Sequence, residues 1–284
     1  MPLAHRSSAS DTFVHSCQQT GTDRFLVSAR LPHDHPFFAP VRTDRIDPLL
    51  VSEAFRQAGL VVMHSGYGAP MDHTFLISSL QFDCSMDELE TRDSATELAL
   101  EVDASRTSAR EDRTGKKHLE LTAWLGEWPV ARGVIRTRVI SPQIYARLRG
   151  CRTEPRLCTP LSHRLAPGTV GRSDLADVLL APGPREDTWQ LSIDTSHPTL
   201  FQSPKDHVPG MLLLEAGRQA AQAIQRPGLF VPAMADATFH GYTEIDLPCW
   251  IRAQVVPSTT PSRTAVRVEG VQNDTPVFTA TYSG

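Results

Sequence analysis

Two stretches of this chain repeat each other, and a chain that repeats itself is constrained to fold as two copies of one unit. His35-Pro36 is followed by Asp44, Leu49-Leu50 and Glu53-Ala54-Phe55-Arg56-Gln57-Ala58. The same series returns 162 residues later as His197-Pro198, Asp206, Met211-Leu212 and Glu215-Ala216-Gly217-Arg218-Gln219-Ala220, without a gap. Upstream of each block, Val27 to Leu31 and Trp189 to Ile193 alternate apolar and polar residues, as half-buried strands do. Downstream, Asp72-His73-Thr74-Phe75 matches Asp236-Ala237-Thr238-Phe239, and Pro129-Val130 matches Pro276-Val277. A repeat of this length makes each copy one structural unit. The expected division is a first domain over residues 1–150, a linker over 151–171 carrying Pro155, Pro160 and Pro167, and a second domain over 172–284.

The 284 residues suffice for two cores of ordinary size. A net charge of -4 with no run of Lys/Arg argues against nucleic acid as a partner. No apolar stretch approaches the roughly 20 residues that span a bilayer, so no membrane partner is expected. Five cysteines, an odd number without CxxC spacing, and an N-terminus lacking an apolar signal core lead to the expectation of a reduced, cytoplasmic, soluble protein.

Within each copy the clearest period is helical. Leu49, Leu50, Val51, Ala54 and Ala58, and in the second copy Met211 to Leu214 with Ala216, Ala220 and Ala221, are apolar nearly all round, which predicts a buried helix. The β-rich stretches Phe75 to Phe82, Leu119 to Leu125 and Val130 to Ile140, with Trp250 to Val256, Ala265 to Val271 and Val277 to Tyr282 in the second copy, predict an antiparallel sheet. The polar segment Glu101 to Lys117 is expected to be a long turn between strands. A long central helix wrapped by an antiparallel sheet is the hotdog arrangement. The predicted class is therefore α+β, a tandem double hotdog whose two halves form an internal pseudo-dimer within a monomer.

Pro209-Gly210-Met211-Leu212-Leu213-Leu214-Glu215-Ala216 is similar to the stretch that opens the central helix of hydroxyacyl-ACP dehydratases. The tandem EAxRQ blocks, His35 to Phe38 and Val170-Gly171-Arg172 resemble more closely the A-factor biosynthesis (AfsA-like) hotdog family. This resemblance implies transfer of a β-ketoacyl group from an acyl carrier protein thioester to the hydroxyl of dihydroxyacetone phosphate. The ester then leads to a γ-butyrolactone, butenolide or furan signal. The thioester is already activated, so neither a metal nor another cofactor is expected.

Glu53 with Arg56 and Glu215 with Arg218 stand three apart, on one helix face. Buried ions are costly unless paired or used. One reading is an intrahelical ion pair that anchors the helix. The other is a site in which a carboxylate acts as general base beside an anion-binding guanidinium. The second reading takes Glu53 and Arg218, meeting across the pseudo-dimer, as the catalytic pair. Arg56, Glu215, Gln57, Gln219, His35 and His197 are then substrate-binding candidates. Dehydration is disfavoured because the residues fourteen before each glutamate are Ala39 and Phe201, which move no proton. His33-Asp34-His35 lacks further ligands at fixed spacing, and Ser52 lacks a nucleophile-elbow setting. Alternatives to acyl transfer are hydrolysis of an acyl thioester and non-catalytic binding of a lipid-like signal.

Overall fold

A computed structural model describes residues 2–38, 44–90, 95–258, 260 and 263–284. The chain divides into two units, Met1–Cys151 and Arg152–Gly284. In the first unit β1 (Val14–Gly21) and β2 (Arg24–Pro32) form a hairpin ahead of helix α1 (Pro48–Ser65). Then come β3 (Thr74–Cys84), β4 (Ala95–Asp103), the short helix α2 (Ala109–Arg113), β5 (Lys116–Leu125), β6 (Trp128–Ile140) and α3 (Pro142–Arg149). Antiparallel pairing gives the sheet order β1-β2-β4-β5-β6-β3. The second unit comprises β7 (Leu180–Pro182), β8 (Thr188–Leu191), α4 (Gly210–Ile224), β9 (Met234–Phe239), β10 (Trp250–Val256), β11 (Ala265–Gln272) and β12 (Thr275–Ser283). Its order, β7-β8-β10-β11-β12-β9, is the first unit's order element for element. Each unit is a hotdog.

Alternation explains the wrapping. Phe25, Val27, Ala29 and Leu31 of β2 are buried while Arg24, Leu26, Ser28 and Arg30 are exposed, which puts one face of the strand on the helix. The helix is buried along nearly its whole length, so its neighbours must be small somewhere. In the first unit Phe55 packs against Gly133, where a β-carbon would collide with the ring. In the second the volumes are exchanged. Gly217 stands where Phe55 does and lies beneath Tyr282, whose hydroxyl donates to the Leu214 carbonyl at 2.7 Å. At the equivalent helix position one copy carries the ring on the helix and the other receives one from the sheet.

Three details differ from the expectations. The segment Glu101–Lys117 is not one turn. Its ends belong to β4 and β5, and α2 sits between them, closed by a capping box of Ser108 and Glu111. The match between Asp72–Phe75 and Asp236–Phe239 is not a structural equivalence. With Pro129-Val130 laid on Pro276-Val277, Ala131 corresponds to Phe278, so Cys84, paired with Ala131, corresponds to Phe239, paired with Phe278. Of residues 151–171, expected as a linker, 152–171 belong to the second unit, tied to it through Cys158 to Thr195, Leu161 to Ser192 and Leu165 to Leu180. None of the described helices is long and apolar enough to cross a membrane.

Candidate functional site

The repeated residues build the same cluster twice. In the first unit Glu53 is 0% exposed. Its Oε1 accepts from Arg6 Nη2 at 2.7 Å, Arg56 Nη2 at 2.7 Å and Gln57 Nε2 at 2.8 Å, and its Oε2 accepts from Arg56 Nε at 2.7 Å. In the second unit Glu215, also 0% exposed, accepts from Arg172 Nε at 2.8 Å, Arg218 Nη2 at 2.7 Å and Gln219 Nε2 at 2.6 Å on Oε1, and from Arg218 Nε at 2.7 Å on Oε2. Burial alone would push each carboxyl up. The opposing guanidiniums, Arg56 and Arg6 around Glu53 and Arg172 and Arg218 around Glu215, outweigh it and bring both down to about 2.

The glutamines extend the cluster to the chain entering each unit. Gln57 donates to the Asp11 carbonyl at 2.7 Å and accepts from Phe13 N–H at 2.9 Å. Gln219 does the same with the Asp177 carbonyl at 2.7 Å and Leu179 N–H at 2.9 Å. His35 and His197 are the next link. Nδ1 of His35 faces the backbone N–H groups of Phe37 and Phe38, and that of His197 faces Thr199 and Leu200. An atom receiving two N–H donors is the unprotonated nitrogen, so Nε2 carries the proton and donates to Asp11 at 3.0 Å or Asp177 at 3.1 Å. Each unit thus holds a closed latch joining helix, His-Pro turn and entering chain.

This corrects the expected catalytic pair. Arg218 is spent on the glutamate of its own helix, and Glu53 is saturated by Arg6 and Arg56. A dry carboxylate held near 2 by four donors is a poor general base. Arg56, Glu215, Gln57, Gln219, His35 and His197 are likewise committed to the latch. Arg6, Asp11 and Asp177 escaped the sequence reading. Their signal was present, because Arg6-Ser7 with Asp11 and Arg172-Ser173 with Asp177 share the pattern RSxxxD, at an offset of 166 rather than 162. Of the remaining candidates, Ala39 lies outside the described residues, and Phe201 is buried. Ser52 donates its hydroxyl back to the Leu49 carbonyl, and His33 bonds Thr96. Among the described residues no group of three or more potential metal ligands gathers.

Where the two copies part is the entry to the central helix. Ile46 N–H donates to Leu89 O in the first unit, and Val208 N–H donates to Thr243 O in the second, so the backbones correspond. At the first entry Asp47 caps α1, its Oδ1 accepting from Leu49 N–H at 2.8 Å, and Arg45 pairs with Glu90 at 2.9 Å. At the second entry Pro209 replaces Asp47, and α4 has no side-chain cap. His207 replaces Arg45, with Nδ1 2.6 Å from Asp206 Oδ1 and its ring edge-on to Tyr242 at 4.9 Å. Thr243 replaces Leu89; its hydroxyl is buried and meets no hydrogen-bond partner among the described residues. The second entry therefore gathers an oriented imidazole, a buried hydroxyl and a helix N-terminus without a side-chain cap.

Comparison with known proteins agrees with this duplicated plan. The family described as the A-factor biosynthesis hotdog domain matches residues 1–141 and again 153–284. A protein of Streptomyces coelicolor named 2-oxo-3-(phosphooxy)propyl 3-oxoalkanoate synthase is 44% identical over 284 residues, covering 100% of this chain and 90% of the relative. Proteins of the same name from Streptomyces griseus and Streptomyces virginiae are 42% and 37% identical, over 99% and 97% of this chain and 94% of each relative. Among solved structures, the 12:0-ACP thioesterase from Umbellularia californica superposes with a TM-score of 0.54 at 9% identity, covering 93% of this chain and 98% of that one. At that identity the likeness is one of fold.

Proposed function

The chain belongs to the A-factor biosynthesis hotdog family, and from that premise we propose that it transfers a 3-oxoacyl group from a thioester to a hydroxyl of dihydroxyacetone phosphate. The relatives' shared name describes the product of this step, a 3-oxoalkanoate ester of the 2-oxo-3-(phosphooxy)propyl alcohol. The proposed donor is the acyl group on an acyl carrier protein.

We place the chemistry at the entry to α4. The observation that carries this is the His207–Asp206 contact of 2.6 Å beside a helix N-terminus without a side-chain cap. Asp206 accepts from Nδ1–H and so fixes the tautomer with its lone pair on Nε2, the arrangement of an oriented general base. The base takes the proton from the acceptor hydroxyl as its oxygen attacks the thioester carbonyl. The backbone N–H groups of Gly210 and Met211 at the start of α4 suit the oxyanion of the tetrahedral intermediate. Collapse expels the carrier thiolate, which recovers the proton from His207. Carbon–oxygen bond formation and carbon–sulfur bond cleavage balance without metal or redox chemistry. The two latches hold α1 and α4 in place and take no proton.

The test is to incubate the protein with a 3-oxoacyl carrier protein, with and without dihydroxyacetone phosphate, and weigh the products. An ester that forms only with the acceptor is the expected result. Free acid released without the acceptor makes the protein a hydrolase, and an unchanged thioester makes it a binding module; either overturns the reading.

A further inference from the structure

The outer face of the first unit's sheet carries a feature that its twin lacks. On β5 and β6 Lys116 stands directly opposite Arg138, and His118 opposite Arg136. Lys116 and Arg136 are exposed, while His118 and Arg138 are half-buried. Like charges placed opposite each other across a sheet weaken it, so the Lys116–Arg138 pair, with Arg136 on the same face one row along, calls for an anion from elsewhere.

The chain's own acids answer this charge only in part: Glu111 lies close enough to His118 and Lys116 to interact with them electrostatically, but makes no ion pair with either. Glu120, the nearest on β5, is 3.0 Å from Arg106 and 3.8 Å from His118. Glu111 is held by the Ser108 backbone and hydroxyl of its capping box. Asp112 is drawn to Lys117 at 2.7 Å, and Asp83 stands opposite Arg132. Arg138 Nε reaches only the Thr114 carbonyl, at 3.1 Å. Among the described residues no carboxylate forms an ion pair with Lys116, Arg136 or Arg138. In the second unit the register that lays Pro129 on Pro276 puts Ala265 opposite Ser283 where His118 faces Arg136, and Thr279 where Arg132 stands. The same register lays Lys116 on Arg263, so the second copy keeps that one cation but has no counterpart of the Arg136 guanidinium, in a protein whose overall charge is -4.

We propose that Lys116, His118, Arg136 and Arg138 form the docking surface for the acyl carrier protein. This rests on the acyl-transfer reading above, in which a carrier must deliver the acyl group. Charge complementarity selects the occupant: carrier proteins are small and strongly acidic, and opposed charges chiefly speed and orient an encounter.

Two measurements separate docking from chemistry. The first is binding of acylated carrier to wild type and to the double variants R136E/R138E and R136Q/R138Q, by fluorescence anisotropy at low and at high salt. The expected result is a loss of at least tenfold in affinity for the Glu variant and a smaller loss for the Gln variant. The wild type should weaken with salt and the Glu variant should not. The second is transfer from a small thioester, an N-acetylcysteamine 3-oxoacyl derivative, whose rate both variants should retain with an unchanged melting temperature. Equal carrier affinity in wild type and variants overturns the proposal. So does a wild type that binds no carrier, or an equal fall in rate with both donors. A wild type that binds carrier through these residues yet transfers from neither donor sinks the acyl-transfer reading and leaves the docking surface standing.

Discussion

The two central helices begin differently and are held identically. Around Glu53 and around Glu215 the donors, the glutamine and the histidine–aspartate link agree residue for residue, although Arg6 offers both Nε and Nη2 to its glutamate where Arg172 offers Nε. At the helix entries Arg45, Asp47 and Leu89 have become His207, Pro209 and Thr243. A duplicated gene keeps what both folds need and is released wherever only one copy has work to do. The preserved cluster is thus scaffold, and the altered entry is the place to look for chemistry. Repetition in a sequence points first to architecture.

The largest effect should come from the altered entry. Replacing His207 with alanine is expected to lower the transfer rate by about 10²–10⁴-fold, the usual contribution of a general base, with the melting temperature unchanged within a degree or two. Alanine at the corresponding Arg45 should leave the rate within about twofold, because that residue serves a surface ion pair. If both variants keep the full rate, the asymmetry of the entries has no catalytic meaning.

The latch comes next, and here the copies should behave alike. Glu215→Gln leaves two buried guanidiniums without a counter-charge, at a cost of about 3–5 kcal/mol, and Glu53→Gln leaves two half-buried ones, at a cost towards the lower end of that range. Differential scanning calorimetry should show both destabilised, and Glu53→Gln should retain most of its transfer rate per folded molecule at low temperature. A stable but inactive Glu53→Gln would restore that carboxylate to the mechanism. Acid should read out the same groups. Both carboxyls lie lower in the folded chain than the unfolded value of 4.5, so the stability they add is complete above about pH 5. It is lost as pH falls towards 2, and Glu53→Gln should flatten that part of the stability profile.

Smaller again is the exchange of volumes at the helix. Gly133→Ala drives a methyl group into Phe55, and Gly217→Ala drives one into Tyr282. Overpacking of this kind costs about 1–3 kcal/mol. Pairing Gly133→Ala with Phe55→Leu should recover part of it, which a backbone effect of alanine alone would not.

Much of this was legible in the residues. The 162-residue offset delivered the duplication, both helices and most strands, because a buried helix and a half-buried strand each impose a period on their sequence. The latch was half legible. Glu53, Arg56 and Gln57 share a helix and so a spacing, but Arg6 and Asp11 come from a segment whose offset differs by four residues, and two offsets are not read as one motif. The pairing of Glu53 with Arg218 failed for a related reason. Sequence shows that a carboxylate and a guanidinium are both buried, yet the partner of each is set by the shortest route, which here is three residues along its own helix. His207 carries no signal in the repeat, because a repeat marks what agrees and a residue that differs between the copies is by nature a disagreement.

The smallest effect tests the entries most directly. Asp47→Ala removes one side-chain cap from α1 and should cost about 1 kcal/mol, the ordinary value of an N-cap. The first N–H groups of α1 would then be as open as those of α4, which has Pro209 at the same place. If an uncapped N-terminus were enough to make a site, the variant would gain affinity for anions such as inorganic phosphate at its first unit. The expectation is that it gains none, because Arg45 and Leu89 offer neither the oriented imidazole nor the buried hydroxyl found beside α4. Phosphate titration of Asp47→Ala against wild type, followed by the chemical shifts of the Leu49 and Leu50 amides, decides it. A new phosphate site at α1 would mean that the helix terminus alone makes the anion site, and that His207, Asp206 and Thr243 are incidental to it.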